Sequence, residues 1–361
     1  MAKKEETKKE TGSFIGRLKK AAKTEYADVM SDFDSIQPRD FISSGNYLFN
    51  ALLSADINKG IPSGKVVSLT GPAGCGKTFT ALEILKNAQK MGYTGILYDS
   101  EFANNDNEAL KQRGIDTEKL LYIPIDTVEN LKTSILNILE EITTNDKVMI
   151  IIDSLGNLST NKEMNDSMDG SDKKDMTRAA QLKALFRTIT MKAGVKQVSI
   201  VAINHVYAVV GAFFAQNVAG GGSGPAYMSS IVIEFSKAQD KEGTDIVGAI
   251  ITAKSVKNRF AKERSKIKFS INFNTGMNPY AGLLGFCEDE KIFKKDGQGY
   301  IYKDVKYGRK ELASKAFWDN LLQAELGTYI HERFKYSSVV DEILGEDLLD
   351  SVNDDNCDIE D

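Results

Sequence analysis

Residues 71–78 read Gly71-Pro72-Ala73-Gly74-Cys75-Gly76-Lys77-Thr78, a complete match to the pattern GxxxxGKT. No other stretch constrains the fold as tightly. The motif works only between a buried strand and a helix start. Its amides must turn inward, and the helix must aim its positive end at the same point. That context is present. Val66-Val67-Ser68-Leu69-Thr70 is a short apolar run before the loop, and a helical stretch from Lys77 to about Lys90 follows, ended by Gly92. The glycines let consecutive amides face phosphate oxygens, Lys77 reaches the outer phosphates, and the Thr78 hydroxyl suits magnesium. Gly71 through Thr78, with Phe79 in the first helical turn, are the candidate nucleotide-binding residues.

The same alternation of apolar runs and helical stretches continues downstream. Residues 95–99 and 198–204 read as strands, and Val148-Met149-Ile150-Ile151-Ile152-Asp153-Ser154 is the most apolar strand of the chain. Residues 106–113, 128–142 and 172–193 read as helices. Strands separated by helices imply an α/β fold with a mainly parallel sheet covered on both faces. The later runs at 230–237, 246–255 and 266–273 are too closely spaced for helical crossovers and read as hairpins.

The ends differ from this core. Residues 1–12 alternate lysine with glutamate and threonine and read as a solvated arm. From Ser13 to about Met30, Phe14, Ile15, Leu18, Ala21 and Ala22 mark one face of a short helix, suited to packing on its own domain or on a neighbouring subunit. The expected division is an N-terminal arm and helix at 1–40, a core at 41–285, a small mixed region at 286–345 and an acidic, disordered tail at 346–361. No run of about 18 apolar residues predicts a membrane span. Three cysteines and two histidines support neither a disulfide framework nor a histidine metal cluster.

Hydrolysis needs an acid on the metal and a group that acts on water. Asp153 closes the most apolar run, where a strand-terminal carboxylate would hold magnesium directly or through water, and Ser154 would support it. Asp99 and Glu101 end the strand next in sequence after the loop. They alternate across Ser100 and so point differently, and spacing alone leaves both as candidates for the water. His205 follows Asn204 at another strand end, where it is either structural or a sensor of nucleotide state.

Two long segments follow strands on that same side. Residues 156–172 hold Asn157, Ser159, Thr160, Asn161 and Lys162 beside several acids. Residues 206–226 hold Val209, Val210, Phe213 and Phe214 before Gly220-Gly221-Gly222-Ser223-Gly224. Aromatics beside flexible glycines either stack on nucleic-acid bases or fold back as a lid. Lysines and arginines crowd 254–268, including Lys254 and Lys257. They would neutralise a phosphate backbone or a nucleotide at a subunit boundary, or form a solvated hairpin.

Taken together, these strings resemble the RecA/Rad51 family of homologous recombinases, and within it the UvsX recombinases of T4-like bacteriophages. The likeness is carried by Ile42-Ser43-Ser44-Gly45, Tyr98-Asp99-Ser100-Glu101-Phe102, residues 152–158, Asp175-Met176-Thr177-Arg178-Ala179, Ala202-Ile203-Asn204-His205 and Gly220 through Pro225, and is best over 41–285. It implies a RecA-like P-loop NTPase core with a mainly parallel twisted sheet flanked by helices, plus small terminal regions. By the resemblance, Glu101 activates the attacking water, Lys77 acts with it on the phosphates, and Asp153 joins Thr78 on magnesium. His205 stands where bacterial members carry glutamine, linking the γ-phosphate to the DNA loop. Asn157, Ser159, Lys162, Arg178, Val209, Phe213, Phe214, Gly220, Gly221 and Gly222 would line the DNA path. Lys254 and Lys257 would reach a neighbouring protomer's γ-phosphate. One position departs from the family: Glu108 stands where members often carry an aromatic that stacks on adenine.

The resemblance further implies a DNA-dependent ATPase using ATP and Mg2+, assembled as a helical homo-oligomer on single-stranded DNA. It would pair that strand with homologous double-stranded DNA in recombination, repair and recombination-dependent replication. Expected partners include a single-strand-binding protein and a recombination mediator, with no membrane, in the cytoplasm of an infected bacterial host. Two alternatives use the same core: a ring-forming hexameric helicase, and a non-catalytic nucleotide-gated DNA-binding mediator.

Overall fold

The computed structural model describes residues 14–24, 27, 30, 37–168, 177–208, 217–219, 228–242 and 245–336. Val209, Phe213, Phe214, Gly220, Gly221, Gly222 and the acidic tail at 346–361 lie outside the described residues.

Helix α1 (Tyr47–Ser54) starts where the Asn46 side chain accepts from the Phe49 amide and ends at Ala55 in the left-handed conformation. Strand β1 (Val66–Gly71), buried at every residue, leads into helix α2 (Lys77–Lys90). Then come β2 (Thr94–Asp99), β3 (Leu120–Pro124), α3 (Val128–Glu141), β4 (Val148–Asp153), α4 (Arg178–Val195) and β5 (Ser199–Ala208). Strand β6 (Asn217–Ala219) pairs with the end of β5. Strands β7 (Ile231–Glu242), β8 (Asp245–Asn258), β9 (Lys266–Asn272) and β10 (Gly276–Met277) complete the set.

All ten belong to one sheet, in the order β10-β9-β8-β7-β1-β5-β4-β2-β3, with β6 attached to β5. The six strands from β7 to β3 run parallel, and β8 to β10 return as antiparallel hairpins. The expected mainly parallel sheet and the expected hairpins are both present. Parallel strands place their carboxyl ends on one edge, so β1, β2, β4 and β5 all deliver their last residues to the same side.

Period-two alternation divides the interior into two layers. Val66, Ile96, Tyr98, Ile150, Ile152 and Ile200 face α3 and α4, which answer with Leu131, Ile135 and Leu139 and with Leu182, Leu185, Phe186 and Ile189. Those spacings are one face of a 3.6-residue helix. Val67, Leu69, Leu97, Met149, Ile151, Val201 and Ile203 face the other way, toward α1 and α2. Phe49 of α1 packs there against Phe235 and Phe269, with ring centroids 5.7 and 5.5 Å away. The small region after the hairpins adds a three-stranded sheet and helices at Lys315–Leu321 and Gly327–Phe334. Its Phe293, Trp318, Ile330 and Phe334 join this second layer.

Some expectations change. The N-terminal helix is shorter than read, Phe14–Ala21, and its Phe14, Ile15 and Leu18 are exposed. A helix, Asn161–Met168, lies inside the segment read as a polar loop. Strand β3 was not anticipated: Leu120-Leu121-Tyr122-Ile123 is a short apolar run, but it forms an edge strand with no fully buried residue and ends in proline. Among the described residues no helix is long and apolar enough to cross a membrane.

Candidate functional site

The glycine-rich loop follows β1 between its two parallel neighbours, with Gly71 opposite His205 of β5. Gly71 has φ +146, and a Cβ there would stand 2.3 Å from the Phe235 carbonyl oxygen of β7. Only glycine lets the chain pass so close to β7. The loop then enters α2 at Gly76, and Pro72, Ala73 and Gly74 form its outer arc. Lys77 is 4% exposed, and its ammonium donates to the carbonyls of Gly71 at 2.9 Å and Pro72 at 2.7 Å. Burial lowers the pKa of Lys77, against the opposing pull of Cys75, Asp153 and Glu101. Burial raises that of the Cys75 thiol, whose sulfur lies 3.7 Å from the Lys77 ammonium.

Asp153 ends β4 beside this loop. The Thr78 hydroxyl donates to its Oδ2 at 2.8 Å and the Asn104 amide at 3.1 Å. Its Oδ1 is buried and has no hydrogen-bond partner among the described residues. Burial raises the Asp153 pKa, and the charges of Glu101 and Asp99 add to the rise. An orphaned, charge-crowded carboxylate oxygen next to a threonine hydroxyl is a hard-oxygen environment that fits magnesium. Thr78 and Asp153 would hold the ion. It would supply charge neutralisation to the phosphates. Among the described residues no group of three histidine, cysteine, aspartate or glutamate side chains gathers to bind a metal alone.

The structure separates the two acids that spacing left open. Asp99 is buried as a clasp: its carboxylate accepts from the amides of Glu101 at 2.9 Å and Asn104 at 2.8 Å, and from the Tyr122 hydroxyl at 3.1 Å. Glu101 instead turns toward β5. Its Oε1 lies 2.7 Å from His205 Nε2 and accepts from the Ser154 hydroxyl at 2.8 Å. Burial pushes Glu101 up, but the hydrogen bonds from His205 and Ser154, with the nearby Lys77 charge, outweigh it. Its carboxyl is held below the usual range. The other ring nitrogen of His205, Nδ1, lies 3.4 Å from the Lys77 ammonium. Lys77, His205, Glu101 and Ser154 therefore form one chain of contacts, and Thr78 and Asp153 form a second beside it, where Ser154 follows Asp153.

The remaining expected residues are more dispersed. Arg178 opens α4, and its guanidinium donates to the carbonyls of Leu155 at 2.9 Å and Gly156, holding the chain after β4. Asn157 is exposed in the short helix Leu155–Asn157, Lys162 is exposed on Asn161–Met168, and Ser159 exchanges backbone hydrogen bonds with Asp126 and Val128. Lys254 and Lys257 lie on β8, two strands from β1, with Lys254 opposite Glu234 and Lys266. Burial and the nearby Arg259 charge lower the Lys257 pKa.

Three contributors escaped the sequence reading. Asn104 braces Asp153. Lys237 of β7 reaches the loop, with its ammonium 2.9 Å from where a Cβ of Gly74 would lie. A 470 Å³ groove runs from Gly74 and Gly76 past Phe79 and Arg113 to Phe273 and Asn274. There the Arg113 guanidinium lies 5.9 Å from the Phe79 ring centre, and Phe273 is 66% exposed. No sequence signal marks a groove assembled from three distant segments.

Comparison with known proteins agrees with this arrangement. The RecA N-terminal domain family matches residues 27–278. The "Recombination and repair protein" of Enterobacteria phage T4 is 31% identical over 290 residues, covering 80% of this chain and 73% of that protein. "Protein RecA" of Caldanaerobacter subterraneus subsp. tengcongensis is 30% identical over 264 residues, covering 72% of this chain and 74% of that protein. "Protein RecA" of Arthrobacter sp. is 30% identical over 301 residues, covering 82% of this chain and 83% of that protein. The chain belongs to the RecA family of recombinases.

Proposed function

We propose that the protein is an ATP-dependent recombinase that assembles as a helical filament on single-stranded DNA and pairs that strand with homologous duplex. The observation that carries this reading is the 2.7 Å contact between Glu101 and His205. It joins the hydrolytic acid to β5, the strand that leads into the 206–226 segment proposed to meet DNA. The glycine-rich loop holds the triphosphate, with the base in the groove between Arg113 and Phe273. Glu101 takes a proton from water as that water adds to the γ-phosphorus and the bond to the bridging oxygen breaks. Thr78 and Asp153 hold magnesium. Asn157, Ser159, Lys162 and the segment holding Val209, Phe213, Phe214 and Gly220–Gly222 meet DNA, positioned by Arg178. The basic segment with Lys254 and Lys257 faces the next protomer's nucleotide.

Residues 1–40 would contact a neighbouring protomer, 41–285 form the ATPase core, 286–345 a small appended region and 346–361 an acidic tail. Such a protein would act in the cytoplasm of an infected bacterial host, with a single-strand-binding protein and a mediator. Nucleotide binding between protomers and filament assembly are then linked equilibria.

The test images the protein on single-stranded DNA with ATP and measures strand exchange, for the native chain and for Lys77→Ala. Open filaments and exchange that vanish in the variant support the reading. Closed rings with directional unwinding would instead identify a helicase, and DNA binding without phosphate release a non-catalytic module.

A further inference from the structure

We infer that Lys237 is a second ammonium for the nucleotide's phosphates, supplied to the glycine-rich loop in cis by the neighbouring strand β7. This inference rests on the nucleotide reading above and adds a residue that no part of the motif contains.

The geometry begins with register. Strand β7 pairs directly with β1, and Thr70 stands opposite Glu234. One residue further, the Phe235 carbonyl closes on Gly71. Phe235 is fixed in turn by its ring contacts with Phe49 and Phe269, at 5.7 and 6.5 Å. The strand beneath the loop is therefore anchored by both backbone and core. Lys237 lies two residues beyond Phe235 and so leaves the strand on the same face. There the core ends and the loop begins, and the lysine stem carries the ammonium over the loop's arc. A Cβ at Gly74, whose φ is +67, would come within 2.9 Å of that ammonium. A side chain at 74 would displace it.

Charge gives the placement its meaning. The loop's amides and Lys77 already select anions. Lys77 is engaged with the carbonyls of Gly71 and Pro72 on the inner side. Lys237 reaches the loop at Gly74, away from those two carbonyls in sequence, is exposed, and joins no ion pair among the described residues. A triphosphate carries several negative charges along its length. Two ammonium groups, one from helix α2 and one from strand β7, can bracket it where one cannot. A lysine suits this position because its flexible stem lets a point charge follow the phosphate chain.

The experiment measures equilibrium binding of ATP with magnesium, and separately of inorganic tripolyphosphate and of adenosine, to native protein, Lys237→Ala, Lys237→Arg and Lys77→Ala. Thermal melting of each confirms folding. Lys237→Ala should weaken ATP and tripolyphosphate alike by about tenfold, corresponding to roughly 1.4 kcal/mol. Adenosine binding should not change, and Lys237→Arg should recover most of the loss. Raising salt from about 50 to 500 mM should shrink the difference between native and variant. Mixing Lys237→Ala with Lys77→Ala should restore nothing, because both residues serve the same protomer's nucleotide. Unchanged tripolyphosphate binding in Lys237→Ala overturns the proposal. So does a loss that arginine does not repair, or recovery on mixing, which would place the lysine in trans. If native protein binds neither ATP nor tripolyphosphate, the nucleotide reading itself is what fails.

Discussion

The contact between His205 and Glu101 can be tested quantitatively. Lys77 carries a positive ammonium with no lone pair, so the His205 nitrogen facing it, Nδ1, must accept. The proton of the neutral ring then resides on Nε2 and is donated to Glu101 at 2.7 Å. Removing the ring by His205→Ala takes one of the two side-chain donors from the Glu101 oxygen and leaves Ser154. A hydrogen bond to a charged group contributes about 1.5–3 kcal/mol. The two side chains are 18% and 29% exposed, which reduces the expected loss to about 1–2 kcal/mol. The expected fall in single-stranded-DNA-stimulated phosphate release is therefore about five- to thirtyfold. Glu101→Gln should cost more, about 10²–10⁴-fold, because it removes the base itself. The pH dependence has a definite sign. The native carboxyl is held low by hydrogen bonds that outweigh burial. Without His205, burial gains weight and the pKa rises, so on acidification the variant loses activity at a higher pH than the native chain. His205→Gln, which can still donate and accept, should recover part of the rate. The assay is steady-state phosphate release at saturating ATP across about pH 5 to 8. An acid limb unmoved in His205→Ala would refute the reasoning, because Glu101 would then not depend on the ring.

Other consequences follow from neighbouring residues. Gly71→Ala places a Cβ 2.3 Å from a backbone oxygen at φ +146, and should destabilise the fold by roughly 2–3 kcal/mol while abolishing nucleotide binding, read by urea melts and ATP titration. Arg113→Ala should weaken ATP by about fivefold through lost stacking but leave tripolyphosphate unchanged; equal losses would move the base out of the groove. Asp153 has a raised pKa, so without metal the fold gains stability as pH falls through that value. Protons and magnesium then compete for its carboxylate. The melting-temperature gain from magnesium should fade as pH drops, beginning above the usual carboxylate range, and Asp153→Asn should lack it at every pH.

Much of this site was legible because its parts sit where strand period and motif chemistry agree. The loop at 71–78 and Asp153 at the end of the most apolar strand are strand-terminal, and a parallel sheet gathers such ends on one edge; His205 lies beside them although its strand runs on to Ala208 instead of ending at Asn204. The choice between Asp99 and Glu101 was not legible in spacing, and came only with the family resemblance. It is decided by which carboxylate the amides at 101 and 104 enclose, and that depends on the turn after β2. Lys237 was invisible because its strand carries no motif. Its importance comes from pairing with β1, a contact across more than 150 residues. Strand β3 did carry a signal, the apolar run Leu120-Leu121-Tyr122-Ile123, but the run is short and is cut off by Pro124.

The second apolar layer has a consequence for how the molecule melts. Trp318, Ile330 and Phe334 bury their side chains in the same continuous oil phase as Leu69 beneath the glycine-rich loop. Heat that loosens the carboxy-terminal helices thus strips cover from the floor of the nucleotide site. Residues 41–336 should unfold in one calorimetric transition, with calorimetric and van't Hoff enthalpies equal. A chain cut after residue 285 should not keep a slower ATPase. It should lose the cooperative transition altogether.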